Sequence, residues 1–311
     1  MNEKIATIFG GSGFLGRHLV RKLTEKEYRV IVATRSPYLS GFLKPLGNPG
    51  QIELIKTNIY DEDSIRKILK KSDIAINLVG ILSENKKQKF EFLHSEFTKL
   101  LAKLCAELNL KKLIHISALG VKENHTSKYM QSKFLGEKNI INNFDASIIL
   151  RPSIIFGPED KFFNTFASIA QFSPILPLIG GGHTKFEPVY VNDVAEAIVR
   201  SIELNIFKPT IYELGGPSIY SFKELLNILL KTIKKKRLLV PIPFSVARLN
   251  SYFLQMMPNP LLTPDQVELL KYDNIASGQF PNLNDLDIYP SNVQSILPKY
   301  IYRFRTGGQF G

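Results

Sequence analysis

The sequence is poor in cysteine and contains no long apolar run. Its 311 residues include one cysteine, Cys105, which excludes an internal disulfide and fits a reducing compartment. No apolar stretch approaches the ~18 residues that a membrane-spanning helix requires. The first residues also lack a basic segment followed by an apolar core and a cleavage site, so we expect no secretory signal. These absences predict a cytoplasmic protein in which Cys105 is a buried small hydrophobe.

Acidic residues are outnumbered by basic ones, and the formal net charge is +12. A solvated, lysine-rich surface is the simplest explanation, and an anionic membrane surface or a phosphate-bearing ligand are the functional alternatives. No nucleic-acid-binding motif is present, so we expect no nucleic-acid partner. No group of His, Cys and acidic residues has the spacing of metal ligands, so no metal site is predicted.

The first half of the chain alternates apolar segments with amphipathic helical patterns. Continuous apolar segments separated by helices predict parallel strands that are covered by helices on both faces. The predicted fold class is therefore α/β, with a Rossmann-type doubly wound parallel sheet. After Arg151 proline and glycine become frequent, which predicts a smaller mixed α/β region. The predicted boundaries are 1–155 for a dinucleotide-binding domain with a return segment near 187–204, and 156–186 plus 205–311 for a smaller substrate or partner region.

A glycine-rich turn follows the first predicted strand. Gly10, Gly13 and Gly16 are spaced G-x-x-G-x-x-G, between a β-rich run and an amphipathic helix. Glycines at this spacing permit a tight turn and a close approach of the backbone to a pyrophosphate. The helix N-terminus then directs free N–H groups and a positive dipole end at that anion. The strand–turn–helix context predicts dinucleotide binding.

The end of the second predicted strand bears on the choice of cofactor. NAD sites place an acidic residue about 20 residues past the fingerprint, where it binds the ribose 2′-hydroxyl. Here the segment reads Thr34-Arg35-Ser36 and contains no acid. A guanidinium at Arg35 suits a 2′-phosphate, with Ser36 as a second donor. The sequence therefore favours NADP(H) over NAD(H), and the alternative is that Arg35 is a solvated loop residue.

Three residues further along predict acid–base chemistry: Ser117, Tyr129 and Lys133. Tyr129 and Lys133 are four residues apart, so they share one face of a predicted helix. The ammonium of Lys133 is expected to lower the pKa of Tyr129 from about 10. Tyr129 then exchanges a proton with an alcohol or carbonyl, and Ser117 binds the same oxygen. The alternative is that Tyr129 and Lys133 only cover a helix face.

These motifs together resemble the extended short-chain dehydrogenases/reductases, a class that includes nucleotide-sugar epimerases. The matching stretches are FGGSGFLG, NLVG at 77–80, HISALG, YMQSK, RPSIIFGPED and PVYVNDVA. The resemblance implies that Asn58 and Ile59 flank the adenine, although the class often has Asp where Asn58 stands. It also implies that Pro152 and Ser153 lie near the nicotinamide. The residues predicted to bind the cofactor are Gly10, Ser12, Gly13, Phe14, Leu15, Gly16, Thr34, Arg35, Ser36, Asn58, Ile59, Leu78, Val79, Gly80, Tyr129, Lys133, Pro152 and Ser153.

A narrower resemblance covers nearly the whole chain. Stretches such as INLVGIL, SKYMQSKFLGEK and LLTPDQVELLKYDN are similar to the NADPH-binding accessory subunits of respiratory complex I and their alpha-proteobacterial relatives. In the mitochondrial subunits the cofactor is regarded as structural, and some related proteins are linked to ubiquinone metabolism. The mitochondrial subunits carry an import presequence, and this chain begins directly at its first strand, which favours a bacterial cytosolic protein.

Two functions therefore remain open. The first is an NADP-dependent oxidoreductase that acts on an alcohol or ketone, such as a quinone-related small molecule. The second is a non-catalytic NADPH-binding accessory or assembly subunit of complex I. The Tyr-x-x-x-Lys pattern does not decide between them, because the mitochondrial relatives keep a similar stretch.

The segment 231–260 bears on a partner. It joins a basic cluster, Lys231–Arg237, to a stretch rich in Phe, Leu and Met. A basic and amphipathic segment is typical of a protein that lies on a membrane surface, here the inner face of the cell membrane. The alternative is the end of a surface helix followed by a helix that packs into the core.

Overall fold

The computed structural model describes residues 4–257 and 260–308, and its main feature is a seven-stranded parallel sheet. The strands are β1 Ile5–Phe9, β2 Arg29–Thr34, β3 Ile52–Lys56, β4 Ile74–Asn77, β5 Lys112–Ile116, β6 Ser147–Pro152, β7 Ile155–Phe156, β8 Ile175–Ile179, β9 Lys185–Phe186, β10 Val189–Tyr190, β11 Thr210–Leu214, β12 Tyr220–Ser221 and β13 Leu238–Ile242. The helices are α1 Phe14–Glu25, α2 Glu62–Leu69, α3 Phe97–Glu107, α4 Lys128–Ile141, α5 Phe162–Phe172, α6 Val191–Glu203, α7 Phe222–Thr232, α8 Phe244–Leu254, α9 Pro264–Leu269, α10 Val293–Ile296 and α11 Pro298–Ile301.

The strand order of the main sheet is β11-β6-β5-β4-β1-β2-β3. β1 therefore lies between β2 and β4, and it pairs in parallel with both. The chain winds outward in opposite directions from this point, so the connections diverge and leave a crevice at the carboxyl ends of β1 and β4. Ligands of open α/β sheets bind in that crevice. The doubly wound α/β fold predicted from the sequence is confirmed.

Helices cover both faces of the sheet and bury its apolar side chains. On one face, Leu19 of α1 and Ile198 of α6 pack against strand residues such as Ile8, and all three are fully buried. On the other face, Leu101 and Cys105 of α3 belong to a second apolar cluster. Cys105 is buried as the sequence predicts, and burial raises the pKa of its thiol.

A third apolar cluster forms beside the main sheet. It unites α5, β8 and α7, with Phe163, Leu176 and Phe222 at its centre. The predicted boundaries placed 205–311 entirely in this smaller region, but β11 forms the edge strand of the main sheet, paired with β6. Helices and short strands are mixed in the long segment between β6 and β11, so no local sequence pattern indicates that the chain returns to the main sheet at β11. Residues 1–3, 258–259 and 309–311 of the predicted regions lie outside the described residues.

A buried ion pair joins the main sheet to α4. Arg151 on β6 donates from Nε and Nη2 to the two carboxylate oxygens of Glu137, at 2.9 and 2.6 Å. The carboxylate of Glu213 on β11 lies 3.9 Å from Nη1, and the ring of Phe280 covers the guanidinium at 4.9 Å. Arg151, Glu137 and Glu213 are each less than a tenth exposed. The two parallel hydrogen bonds between Arg151 and Glu137 offset the free-energy cost of removing both charges from water.

Helix α8 and the turn that follows it present an apolar surface to solvent. Val246, Leu249, Phe253 and Met256 are 46%, 62%, 68% and 82% exposed, and they recur at intervals of three or four residues. We call these four residues the α8 surface. The buried residues of α8 are Ala247 and Ser251, and Ala247 belongs to a small apolar cluster with Ile179 and Val267. One narrow face of α8 therefore packs against the protein, and the α8 surface does not. Positions 258–259 of the predicted membrane-surface segment lie outside the described residues.

In the described parts of the chain, 4–257 and 260–308, no helix has both the length and the apolar character needed to cross a bilayer.

Candidate functional site

The glycine-rich turn lies at the crevice between β1 and β4. Gly10 has φ +85°, a conformation that side chains with a Cβ rarely adopt, and a Cβ there would lie 3.1 Å from the backbone carbon of Leu78. A Cβ on Gly16 would lie 2.4 Å from the carbonyl oxygen of Gly11, so glycine is required for α1 to pack against the turn. The N–H of Gly13 closes the turn on the carbonyl of Gly10 at 3.0 Å. The turn therefore has the close-approach geometry of a dinucleotide site.

The N-terminus of α1 completes an anion site. Gly13 occupies the N-cap position without a side-chain cap, and the first turn of α1 contains no acidic residue. The N–H groups of this turn and the helix dipole are therefore available to a pyrophosphate. The Leu15 side chain belongs to the core, so only its backbone N–H faces the site that the sequence predicts. Ser12 and Phe14 are partly exposed, and the Phe14 ring meets His18 edge-on at 5.9 Å. The residues present fit a dinucleotide.

A pocket of about 400 Å³ opens where β2 and β3 end. It is lined by Arg35, Lys56, Thr57, Asn58 and Ser64. Two cations therefore face this pocket, of which the sequence predicted only Arg35. Thr34 is buried, and its Oγ1 lies 2.8 Å from the Oγ of Ser40. The same Oγ1 accepts a hydrogen bond from the Ser36 N–H.

Asn58 supports the shape of the same end of the site. Its side-chain oxygen accepts from the N–H of Tyr60, and its own N–H donates to the Ser64 hydroxyl. Ile59 packs against the second apolar cluster. Asn58 is thus both a pocket-lining residue and a turn-forming residue, which is a common use of Asn.

The end of β4 forms the opposite wall of the crevice. Asn77 is fully buried; its Oδ1 accepts from the Val79 N–H at 3.0 Å, and its Nδ2 lacks a partner among the described residues. Leu78 continues the sheet by donating to the carbonyl of Phe9. Gly80 is exposed, and a Cβ there would lie 3.5 Å from the Lys133 Nζ. The NLVG segment thus connects the glycine-rich turn to Lys133.

Lys133 lies beside Ser117 at the carboxyl end of β5. Its ammonium donates to the carbonyl of Ile116 at 2.9 Å, and Ile116 directly precedes Ser117. The Ser117 Oγ is buried and makes no hydrogen bond to any described residue. Tyr129 lies one turn earlier on α4, 9% exposed, with its ring edge-on to His94 at 5.4 Å. Ser117 therefore directly follows the carbonyl that Lys133 binds, and its hydroxyl keeps its hydrogen-bonding capacity for another group.

The pKa of Tyr129 differs from the expected direction. Burial and the nearby Asp265 carboxylate raise the pKa of Tyr129 to about 12, whereas the sequence led us to expect a lowering by Lys133. Burial in turn lowers the pKa of Lys133 to about 8. A buried site disfavours both charged forms. The charges that also act are the Asp265 carboxylate on Tyr129 and the Glu137 carboxylate, which raises the pKa of Lys133. The phenol of Tyr129 is therefore protonated at neutral pH.

Pro152 is the last residue of β6, and Ser153 follows it at the carboxyl ends of the strands. The Ser153 hydroxyl donates to the carbonyl and side-chain oxygens of Asn274, at 3.0 and 2.8 Å. The Pro152 carbonyl accepts from the N–H of Leu119. Ser153 therefore links the end of β6 to the C-terminal third of the chain. Asn274 was not predicted from the sequence.

Asp265 is a second missed residue. Its carboxylate accepts from the Ser127 hydroxyl at 2.8 Å and from the N–H groups of Lys128 and Tyr129 at 2.8 and 3.2 Å. An acid at this position compensates the dipole and the free N–H groups at the start of α4. The T-P-D-Q stretch signals the start of α9, but nothing local indicates that its acid caps another helix. His94, buried against Tyr129, was also missed.

A Gly-rich β1–α1 turn, the crevice between β1 and β4, and a Ser-Tyr-Lys group at one edge define a class of protein. The chain belongs to the NAD dependent epimerase/dehydratase family, whose model matches residues 6–215. It is 33% identical to NADH dehydrogenase (ubiquinone) 1 alpha subcomplex subunit 9, mitochondrial, of Arabidopsis thaliana, over 98% of this chain and 79% of that one. The corresponding protein of Mus musculus is 31% identical, over 97% and 81%.

A solved structure agrees on the fold. The UDP-glucose 4-epimerase of Thermus thermophilus, in complex with NAD, superposes with a TM-score of 0.70 over 96% of this chain and 98% of that one, at 16% identity. The resemblances drawn from the sequence, to the epimerase/dehydratase class and to complex I accessory subunits, are confirmed.

Proposed function

We propose that this protein is an NADP(H)-dependent oxidoreductase that acts on an alcohol or ketone. The observation that carries the proposal is the hydrogen bond from Lys133 to the carbonyl of Ile116, the residue before Ser117, together with the buried and unpartnered Ser117 hydroxyl. Ser117 binds the substrate oxygen. Tyr129, protonated at neutral pH, donates its proton to that oxygen during reduction of a ketone. Lys133 replenishes the proton and holds the ribose. The bound cofactor supplies the hydride.

The test of this function is turnover by purified protein. Ketones and quinones from a lipid extract of the cell are offered as substrates, and NADPH oxidation is followed by absorbance. Mass spectrometry identifies a product by its gain of two hydrogens. Reduction of one ketone or quinone supports the proposal, and such a substrate links the protein to ubiquinone metabolism. Tightly retained NADPH that no extract oxidises contradicts it.

The pocket at the ends of β2 and β3 supports NADP(H) over NAD(H). Arg35 and Lys56 both line it, and neither is in an ion pair within the described chain. The second strand ends without the acid that would bind a ribose 2′-hydroxyl. Two free cations favour a 2′-phosphate, because charge-assisted bonds to phosphate are stronger than neutral ones.

Replacing Arg35 with Ala is expected to weaken NADPH binding by about 10- to 100-fold, because a bond to a charged phosphate is lost. NADH binding is expected to change little. Both affinities are measured by titrating the nucleotide's own fluorescence. Lys44→Ala, which removes an exposed cation outside the pocket, is the control and is expected to leave both affinities unchanged. Equal weakening of NADPH and NADH in Arg35→Ala would contradict the preference.

A second candidate is a non-catalytic NADPH-binding accessory or assembly subunit of NADH:ubiquinone oxidoreductase. The names of the mitochondrial relatives support it. The α8 surface supports it as well, because an exposed apolar patch marks an interaction site. A pocket of about 450 Å³ beside this surface contains two cations, Arg248 and Lys271. In this role the protein is cytoplasmic and associates peripherally with the complex at the inner face of the membrane.

The double variant Leu249→Glu/Phe253→Glu tests the second candidate. It is expected to reduce co-migration with the respiratory complex in native gels by about tenfold, because two charges must be desolvated in an apolar contact. The control is Phe207→Glu/Tyr289→Glu, which adds the same charges at positions 90% and 91% exposed. Unchanged co-migration of the α8 variant contradicts this role for the surface. Binding to anionic-lipid vesicles without the complex assigns the surface to the membrane instead.

A further inference from the structure

We propose that His94 is a positioning residue that holds the Gly80–Ile81 backbone in place for the nicotinamide half of the cofactor. The inference rests on the proposed dinucleotide site. His94 lies in the helical turn Glu91–Glu96 just before α3, which has the wider i→i+5 hydrogen bonding of a π-helix. Such turns are frequent at functional sites. The imidazole is fully buried beside the site.

The hydrogen bonds of His94 join two walls of the site. Its Nε2 lies 3.1 Å from the N–H of Ile81. Because a backbone N–H can only donate, Nε2 is the acceptor and the ring hydrogen is on Nδ1. Nδ1 then donates to the Ser132 hydroxyl at 2.8 Å, and that hydroxyl donates to the carbonyl of Tyr129 at 2.7 Å. His94 thus links the loop after β4 to the helix of Tyr129 and Lys133.

The ring of His94 is fixed in orientation and in charge. It stacks on Phe90 at 5.3 Å and meets Tyr129 edge-on at 5.4 Å. Burial lowers its pKa to about 2, and the positive charge of Lys133 and the neighbouring His115 act in the same direction. The imidazole is therefore neutral across the working pH range, so the acceptor at Nε2 is always available.

The position of Gly80 connects this bridge to the cofactor. A Cβ on Gly80 would lie 3.5 Å from the Lys133 Nζ and 3.7 Å from the His94 Nε2. The backbone of the preceding residues, Leu78 and Val79, lies against Gly10 of the glycine-rich turn. His94 therefore supports the part of the crevice wall that lies between the pyrophosphate turn and Lys133. The residues that line the pocket at Arg35 include neither His94 nor its hydrogen-bond partners, so the two halves of the site can be tested separately.

Two substitutions of His94 separate its two bonds. In His94→Asn the side-chain amide lies near the position of Nδ1, and the Ile81 N–H loses its acceptor. Gln places an oxygen near the Nε2 position and keeps that acceptor. We measure the affinity for NADPH and for 2′-phospho-ADP-ribose, which lacks the nicotinamide. His94→Asn is expected to bind NADPH about tenfold more weakly and the fragment as tightly as the unaltered protein. His94→Gln is expected to recover most of the NADPH affinity.

Other outcomes overturn the inference. These are unchanged NADPH affinity in His94→Asn, an equal loss for both ligands, or no recovery in His94→Gln. If the His94 variants do not fold, Ser132→Ala removes the anchor of the ring while keeping the imidazole, and it is expected to weaken NADPH but not the fragment. Full NADPH affinity in Ser132→Ala overturns the inference as well. Failure of the unaltered protein to bind either ligand instead refutes the proposed dinucleotide function.

Discussion

Replacing Tyr129 with Phe is expected to lower turnover by about 10²- to 10⁴-fold, the usual contribution of a positioned general acid. The phenol is the proton donor to the substrate oxygen, and Phe removes only that hydroxyl. The ring still packs edge-on to His94 and Phe90, so the fold and the cofactor site remain. NADPH affinity is therefore expected to change little. The measurements are the initial rate with the reduced ketone and a nucleotide titration.

The matched control is Tyr289→Phe, which removes a phenolic hydroxyl from a residue 91% exposed. It is expected to retain full turnover. Complementation of a deletion strain extends the test into the cell, with quinone and lipid profiles as the readout. Full rescue by Tyr129→Phe would remove the catalytic proposal and favour the accessory role, because a structural cofactor needs no proton donor.

Replacing Arg151 with Met is expected to lower the free energy of unfolding by about 3–5 kcal/mol, the usual cost of removing one partner of a buried ion pair. Glu137 would lose both of its hydrogen bonds to the guanidinium, and the carboxylate would remain buried without its hydrogen-bonded partner. Glu213 would lose its nearby cation too. Urea denaturation followed by circular dichroism measures the change.

Two further variants make this prediction specific. Arg200→Met breaks the exposed pair with Glu196 on α6 and is expected to cost less than about 1 kcal/mol. The double variant Arg151→Met/Glu137→Leu is expected to regain most of the loss, because it leaves no uncompensated charge at position 137. A loss in Arg151→Met no larger than that in Arg200→Met would contradict the prediction.

The parts of the site that were predictable are those encoded within one short segment. The glycine-rich turn and its flanking strand and helix carry their own signals, because glycine spacing and hydrophobic periodicity act over a few residues. Tyr129 and Lys133 were placed correctly on one helix, α4, for the same reason, and Ser117 directly follows β5. Parallel order then brings the carboxyl ends of the strands to one edge of the sheet, so these segments converge.

The parts that were not predictable depend on contacts between distant segments. Asp265 caps α4 across 136 residues, and Asn274 bonds to Ser153 across 121. Lys56 joins Arg35 only because β2 and β3 end together. The pKa of Tyr129 was predicted in the wrong direction because spacing reveals a neighbouring charge but not the extent of burial. The imidazole of His94 was missed since a π-helical turn has no residue pattern of its own.

The cap that Asp265 provides has a consequence for the order in which the protein is made. Tyr129 leaves the ribosome long before Asp265, so the nascent chain carries the start of α4 without the carboxylate that binds the N–H groups of Lys128 and Tyr129. The acid that closes this helix, and that raises the pKa of Tyr129, arrives only with α9. The dinucleotide turn can therefore form early from the N-terminal half, whereas the acid–base group acquires its final environment only when the last third of the chain has been synthesised and has docked.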